Sequence, residues 1–124
     1  MKNMNFTPAD VVAAYQKTGL KPVFGTWGDG IHCGCALTVY CAAQGVRLEG
    51  IQEIDVYDIV DFFAEKLDVS SRQIEAFVRG YDQNQPTSAE QRPGLSQAYV
   101  LGKQCHSVVR EAYQESFINP TIHR

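Results

Sequence analysis

The chain has 124 residues, 44% of them hydrophobic, and charges that nearly cancel at 11 Lys and Arg against 14 Asp and Glu. That length supports one globular domain over 1–124, burying roughly two-thirds of its unfolded surface. No basic run suits a phosphate backbone, which argues against nucleic acid, and neither a stretch of ~18 apolar residues nor an apolar segment behind Lys2 argues for a membrane or a signal peptide. The expectation is a soluble, cytoplasmic protein, in which four cysteines read as free thiols, metal ligands or a redox pair before they read as disulfide staples.

The first helix announces itself at Phe6-Thr7-Pro8-Ala9-Asp10-Val11. Thr7 is the N-cap, Pro8 stands at N1 where its missing donor costs nothing, Asp10 completes a capping box, and Phe6 and Val11 form a hydrophobic staple. This helix runs from Pro8 to about Thr18 and ends at Gly19, which tolerates a left-handed C-cap. Pro22, Gly25 and Gly28 then mark a loop, with Pro22-Val23-Phe24 as a brief extended piece. Within it, Gly25-Thr26-Trp27-Gly28-Asp29-Gly30 reads as a lid or rim, or as Trp27 plugging one end of the fold, with Asp29 as an acid or, more commonly before glycine, a turn residue.

From Ile31 to Ala43 no residue carries a formal charge if His32 is neutral. Such a run predicts a helix buried on most sides, starting between Cys33 and Ala36 and ending at Gly45. Cys41 lies six residues past Cys35, about 240° around that helix, and belongs to the core. Val46 to Ile51 is a connector or a short strand. Two further helices follow the entrance grammar of the first: Ile54-Asp55 with Asp58 and Ile59, then Val69-Ser70 with Gln73 and Ile74. Their apolar stripes are Val56, Ile59, Val60, Phe63 and Leu67, and Ile74, Phe77, Val78 and Tyr81.

The stretch 82–94 is polar, and loops of this length are functional or disordered; its composition favours disorder. Asp82, Asn84 and Ser88 echo a calcium loop, but Pro86 occupies a ligand position, the sixth-position glycine is missing and Pro93 replaces the closing glutamate. The last and longest helix is expected from Ser96 to Ser116, burying Leu101, Cys105, Val108 and Ala112, with a short tail at 119–124. Gly80 and Gly102 lie inside helical segments at about 1 kcal/mol each relative to alanine, a cost that close helix crossings would explain. The six tyrosines, spread at helical spacings, should straddle core and surface. Together these features predict an all-α, compact single domain of about five helices around a buried central helix, with a long polar loop before the last helix.

One cluster carries chemistry: His32-Cys33-Gly34-Cys35 at the mouth of the uncharged helix. The unpaired amides and dipole of a helix start stabilise a thiolate, so Cys33 becomes a candidate catalytic thiol with Cys35 as its resolving partner, and a disulfide across one residue is strained and oxidising. Gly34, with no packing value between the two thiols, would serve unusual backbone angles. The same His32, Cys33 and Cys35 form a candidate metal set, with Cys105-His106 as a distant donor pair that adjacent helical positions point apart. A third reading makes Cys33 or Cys35 a hydrolytic nucleophile with His106 as base. The residues name no cofactor and do not decide whether the chain is an enzyme. Against the thiol-site reading stands a non-enzymatic homodimeric interaction or adaptor protein whose cysteines are structural.

Overall fold

The computed structural model describes residues 3–48, 51 and 56–113. Five α-helices fold into a compact all-α domain: α1 (Pro8–Thr18), α2 (Ala36–Ala43), α3 (Val56–Leu67), α4 (Ser71–Tyr81) and α5 (Pro93–Ala112). Two two-residue strands, β1 (Lys21–Pro22) and β2 (Cys33–Gly34), pair in parallel, with Lys21 opposite Cys33 and Pro22 opposite Gly34. No helix among the described residues is long and apolar enough to cross a membrane.

Local capping chemistry sets two of the helix starts. Thr7 Oγ1 accepts from the Asp10 amide while Asp10 Oδ2 accepts from the Thr7 amide, and Ser70 and Gln73 repeat the reciprocal pair at α4. Each box satisfies two amides that the helix itself cannot. Gly19 closes α1 at φ 74°, in the left-handed region that disfavours any side chain. The expected cap at Ile54-Asp55, the extension of α5 to Ser116 and the tail at 119–124 fall outside the described residues.

The core runs through every helix, and α2 is its most continuous piece: Gly34 through Val39 are all buried. The closest packing lies elsewhere, where α4 and α5 cross at their glycines. A Cβ on Gly102 would collide with the Phe77 carbonyl oxygen and come within 2.8 Å of the Tyr81 nitrogen, and a Cβ on Gly80 would collide with the Tyr99 carbonyl oxygen. Both helical glycines therefore serve backbone contact, which the expected close crossings required.

That crossing also corrects the reading of α5. Leu101 and Cys105 are buried as expected, together with Ala98, Gly102 and Val109, whereas Val108 is 37% exposed and Ala112 is also exposed. Both sets have helical spacing; the contact of Gly102 with α4 selects the first. Helix α5 also starts at Pro93, with Arg92 as its N-cap, instead of Ser96. Before it, the polar stretch contains a 3-10 turn at Ser88–Gln91. Buried Glu90 accepts from Arg79 Nε at 2.9 Å and from the Thr87 amide at 2.7 Å, and the Asn84 carbonyl accepts from the Tyr99 hydroxyl.

Candidate functional site

The His32–Cys35 cluster is held by one acid and one backbone carbonyl. Asp29 Oδ1 accepts from the amides of Ile31, His32 and Cys33 at 2.8, 2.7 and 3.1 Å, an Asx-type turn that folds the chain back into β2. These donors hold the Asp29 carboxyl well below its ordinary range, with the His32 backbone bond the largest contributor. Gly28 makes the approach that follows. At φ 81° it lies so close to β2 that a Cβ would stand 2.5 Å from the Cys33 carbonyl oxygen and 2.6 Å from the Gly34 Cα. The carbonyl of Trp27 then accepts from both the Cys35 amide and the Thr38 hydroxyl, at 3.1 and 2.8 Å. The loop and the start of α2 are thereby pinned together.

This geometry separates the three candidate residues. His32 is exposed and turns Nδ1 to Asp29 Oδ2 at 3.0 Å. Cys33 is half-buried in β2, with its sulfur 3.9 Å from Asp29 Oδ1. Cys35 is the N-cap of α2 and is buried, with its sulfur 3.5 Å from Thr38 Oγ1. Because the Thr38 hydroxyl proton is committed to the Trp27 carbonyl, the thiol is the donor in that contact. Among the described residues no three His, Cys, Asp or Glu side chains are grouped so that they could hold a metal ion: His32 faces solvent, Cys33 lies on Asp29 and Cys35 on Thr38.

The helix start does act on Cys35, through the Thr38 and Leu37 amides, which favour a thiolate. Burial opposes them and wins, and the Asp82 charge adds to the rise, so the thiol titrates above its ordinary range. Cys35, expected as the resolving thiol, is therefore held in its protonated form. Cys41 and Cys105 are core thiols, as their positions indicated, each pushed up to about 12 by burial.

Two further expectations change. Gly34 has ordinary φ, and its value is in packing: a Cβ there would sit 2.9 Å from Thr38 Cγ2 and 3.1 Å from Thr38 Cβ. Tyr15 and Tyr81 are fully buried instead of straddling the surface. The Tyr15 hydroxyl donates to the Gly34 carbonyl at 2.7 Å and therefore accepts from Tyr81 at 3.0 Å. Burial raises both phenols far above their ordinary range, so the pair stays protonated.

A pocket of about 180 Å³ opens beside this frame. Gly25, Thr26 and Trp27 form its loop side, Phe77, Val78, Tyr81 and Asp82 its α4 side, and Cys35 reaches it from α2. The Trp27 ring, half-buried, stacks on Phe63 at 5.4 Å, so it acts as a wall. No protein-family model, curated protein or solved structure matches this chain. The site's own chemistry therefore carries the functional reading.

Its rim holds the one acid. Asp82 Oδ1 accepts from the Gly25 amide at 2.8 Å, which ties the loop to the end of α4. Burial pushes the Asp82 carboxyl up, while the Gly25 amide and nearby His106 pull it down by less. His106 turns Nδ1 to the Tyr81 carbonyl at 2.8 Å and packs on Phe24 at 4.4 Å between ring centroids. Among the described residues no hydrogen bond joins His106 to a cysteine.

Asp82 entered the sequence reading only through the rejected calcium loop, not as part of a pocket. It stood in the polar stretch, and only the folded chain brings it to Gly25, 57 residues away. Its raised titration means that the neutral acid suits the folded state better than the unfolded one. That contribution is present below the unfolded value of about 3.9 and is lost as pH rises through the folded value. The Asp82→Asn substitution keeps an oxygen for the Gly25 amide and removes a charge from a helix C-terminus. It is expected to raise the thermal midpoint of the ligand-free protein by about 2 °C at pH 7, with the difference shrinking toward pH 4. Calorimetry at the two pH values checks this, and a lower midpoint at pH 7 would contradict it.

Proposed function

We propose that this chain is a binding protein for a small, largely apolar molecule, taken up in the Cys35 pocket. The observation that carries the reading is the pocket itself: about 180 Å³, walled by Trp27, Phe77, Val78 and Tyr81, with a thiol and a single carboxylate converging on it. An apolar cavity of about 150 Å³ takes up benzene, so one ring with a few further atoms fits. Apolar walls with a few convergent polar groups are the usual make-up of a ligand site. In this reading Cys35 contributes a neutral thiol, a soft contact and weak donor. In redox exchange started by Cys33, Cys35 would have to attack the mixed disulfide as a thiolate, which burial disfavours. The free state of all four cysteines fits the reducing, cytoplasmic setting that we propose with it.

Trp27 is the only tryptophan, so its emission reports on the pocket directly. Titration with benzyl alcohol is expected to shift Trp27 emission saturably in the millimolar range, and Val78→Phe, which fills the space, is expected to abolish the response. A flat titration, or an equal response in Val78→Phe, would remove the reading.

A second reading, the homodimeric interaction protein, has one observation behind it. Val100 and Val108 are 46% and 37% exposed on α5, two turns apart on one face, and line a shallow hollow with Lys103, Gln104 and Ser107. Sedimentation that finds only monomer at every concentration would end that reading.

A further inference from the structure

We infer that the ligand of this pocket is a protonated amine on a small apolar body, its ammonium group hydrogen-bonded to Asp82. The inference rests on the pocket reading above and deepens it. Among the described residues Asp82 is the only acid lining the pocket, and no Lys, Arg or His lines it. The carboxylate is half-buried, and the one hydrogen-bond donor that the described residues give it is the Gly25 amide on Oδ1. A neutral apolar ligand would strip water from the remaining carboxylate oxygen without replacing it, which is unfavourable; an ammonium group would replace that water and neutralise the charge.

Position reinforces charge. Asp82 is the C-cap of α4, where the helix dipole disfavours a negative side chain and favours a cation. A carboxylate is thus held at the wrong end of a helix, beside apolar walls, with a single amide for company. An incoming ammonium would be attracted by both the carboxylate and the helix end. Among the described residues His106 is the one ionisable group that lowers the Asp82 titration, but its Nδ1 is bonded to the Tyr81 carbonyl and it does not line the pocket. The aromatic walls suit the same ligand, since ring faces attract cations that pass over them.

Two probes of nearly equal shape separate this inference from the pocket reading: benzylammonium and benzyl alcohol, both followed by Trp27 emission in the full chain. In the wild-type protein benzylammonium is expected to bind at least about tenfold tighter, as suits a hydrogen bond to a charged group. In Asp82→Asn that preference should vanish. Equal affinities of the two probes in the wild-type protein would overturn the inference and leave the pocket reading standing, and the wild-type comparison needs no variant. A preference for benzylammonium that survives unchanged in Asp82→Asn would also overturn it. Binding of neither probe would overturn both.

Discussion

The Gly102→Ala substitution is expected to destabilise the protein by about 2 kcal/mol, lowering its thermal midpoint by about 8 °C. The usual expectation for glycine to alanine inside a helix has the opposite sign, a gain of up to about 1 kcal/mol. Here the added methyl group would collide with the Phe77 carbonyl oxygen and crowd the Tyr81 nitrogen at 2.8 Å. Backbone cannot rotate away as a flexible side chain can, so α4 and α5 must separate along their closest contact. Phe77 and Tyr81 wall the pocket, so the same change should also weaken benzyl alcohol binding. Gln104→Ala, on the exposed side of α5, is the control and should stay within about 0.5 kcal/mol of wild type. Thermal unfolding of the two variants decides the matter, and a stabilised Gly102→Ala would refute the close crossing.

The buried hydroxyl pair makes a second, ordered expectation. Tyr15→Phe should cost about 2 kcal/mol, because it leaves the buried Tyr81 hydroxyl without its acceptor and the Gly34 carbonyl without its best donor. Tyr81→Phe should cost about 1 kcal/mol or less, since Tyr15 keeps its bond to Gly34 and only an accepting lone pair loses its partner. The double variant should be no worse than Tyr15→Phe, because no donor is then orphaned. The order follows from the direction of the two bonds, Tyr81 to Tyr15 to the Gly34 carbonyl. Denaturant unfolding of the three variants would show it, and Tyr81→Phe costing more than Tyr15→Phe would reverse the assignment.

What could be read from sequence was what neighbouring residues decide among themselves. Thr7 with Asp10, Ser70 with Gln73, and Gly19 each carry their instruction within a single turn, and the turn at Asp29 was legible because an acid before glycine does that locally. The special character of 32–35 was also visible, but which way Cys35 titrates depends on burial, and burial depends on Trp27, Phe77 and Tyr81 arriving from elsewhere. Gly34 looked conformational because its neighbours are thiols; its actual constraint comes from Thr38, one turn into the helix it precedes. The choice between Val108 and Val109 as core could not be made from period alone, because both registers satisfy it and the Gly102 crossing selects one. Asp82 was hidden for the plainest reason: its partner, Gly25, is far away along the chain and contributes only a backbone amide. A carboxylate immediately after the end of a strongly amphipathic helix was the one local oddity that could have drawn attention to it.

The alkylation of Cys35 tests the pocket most directly, because the thiol lies where the ligand would. Iodoacetamide should label Cys35 in the folded protein slowly at pH 7, faster as pH rises, and ahead of core thiols Cys41 and Cys105, with benzyl alcohol slowing the reaction at Cys35 alone; peptide mapping reads each site. Labelling of Cys35 only after denaturation, or at a rate that the ligand leaves unchanged, would contradict a ligand site at this thiol.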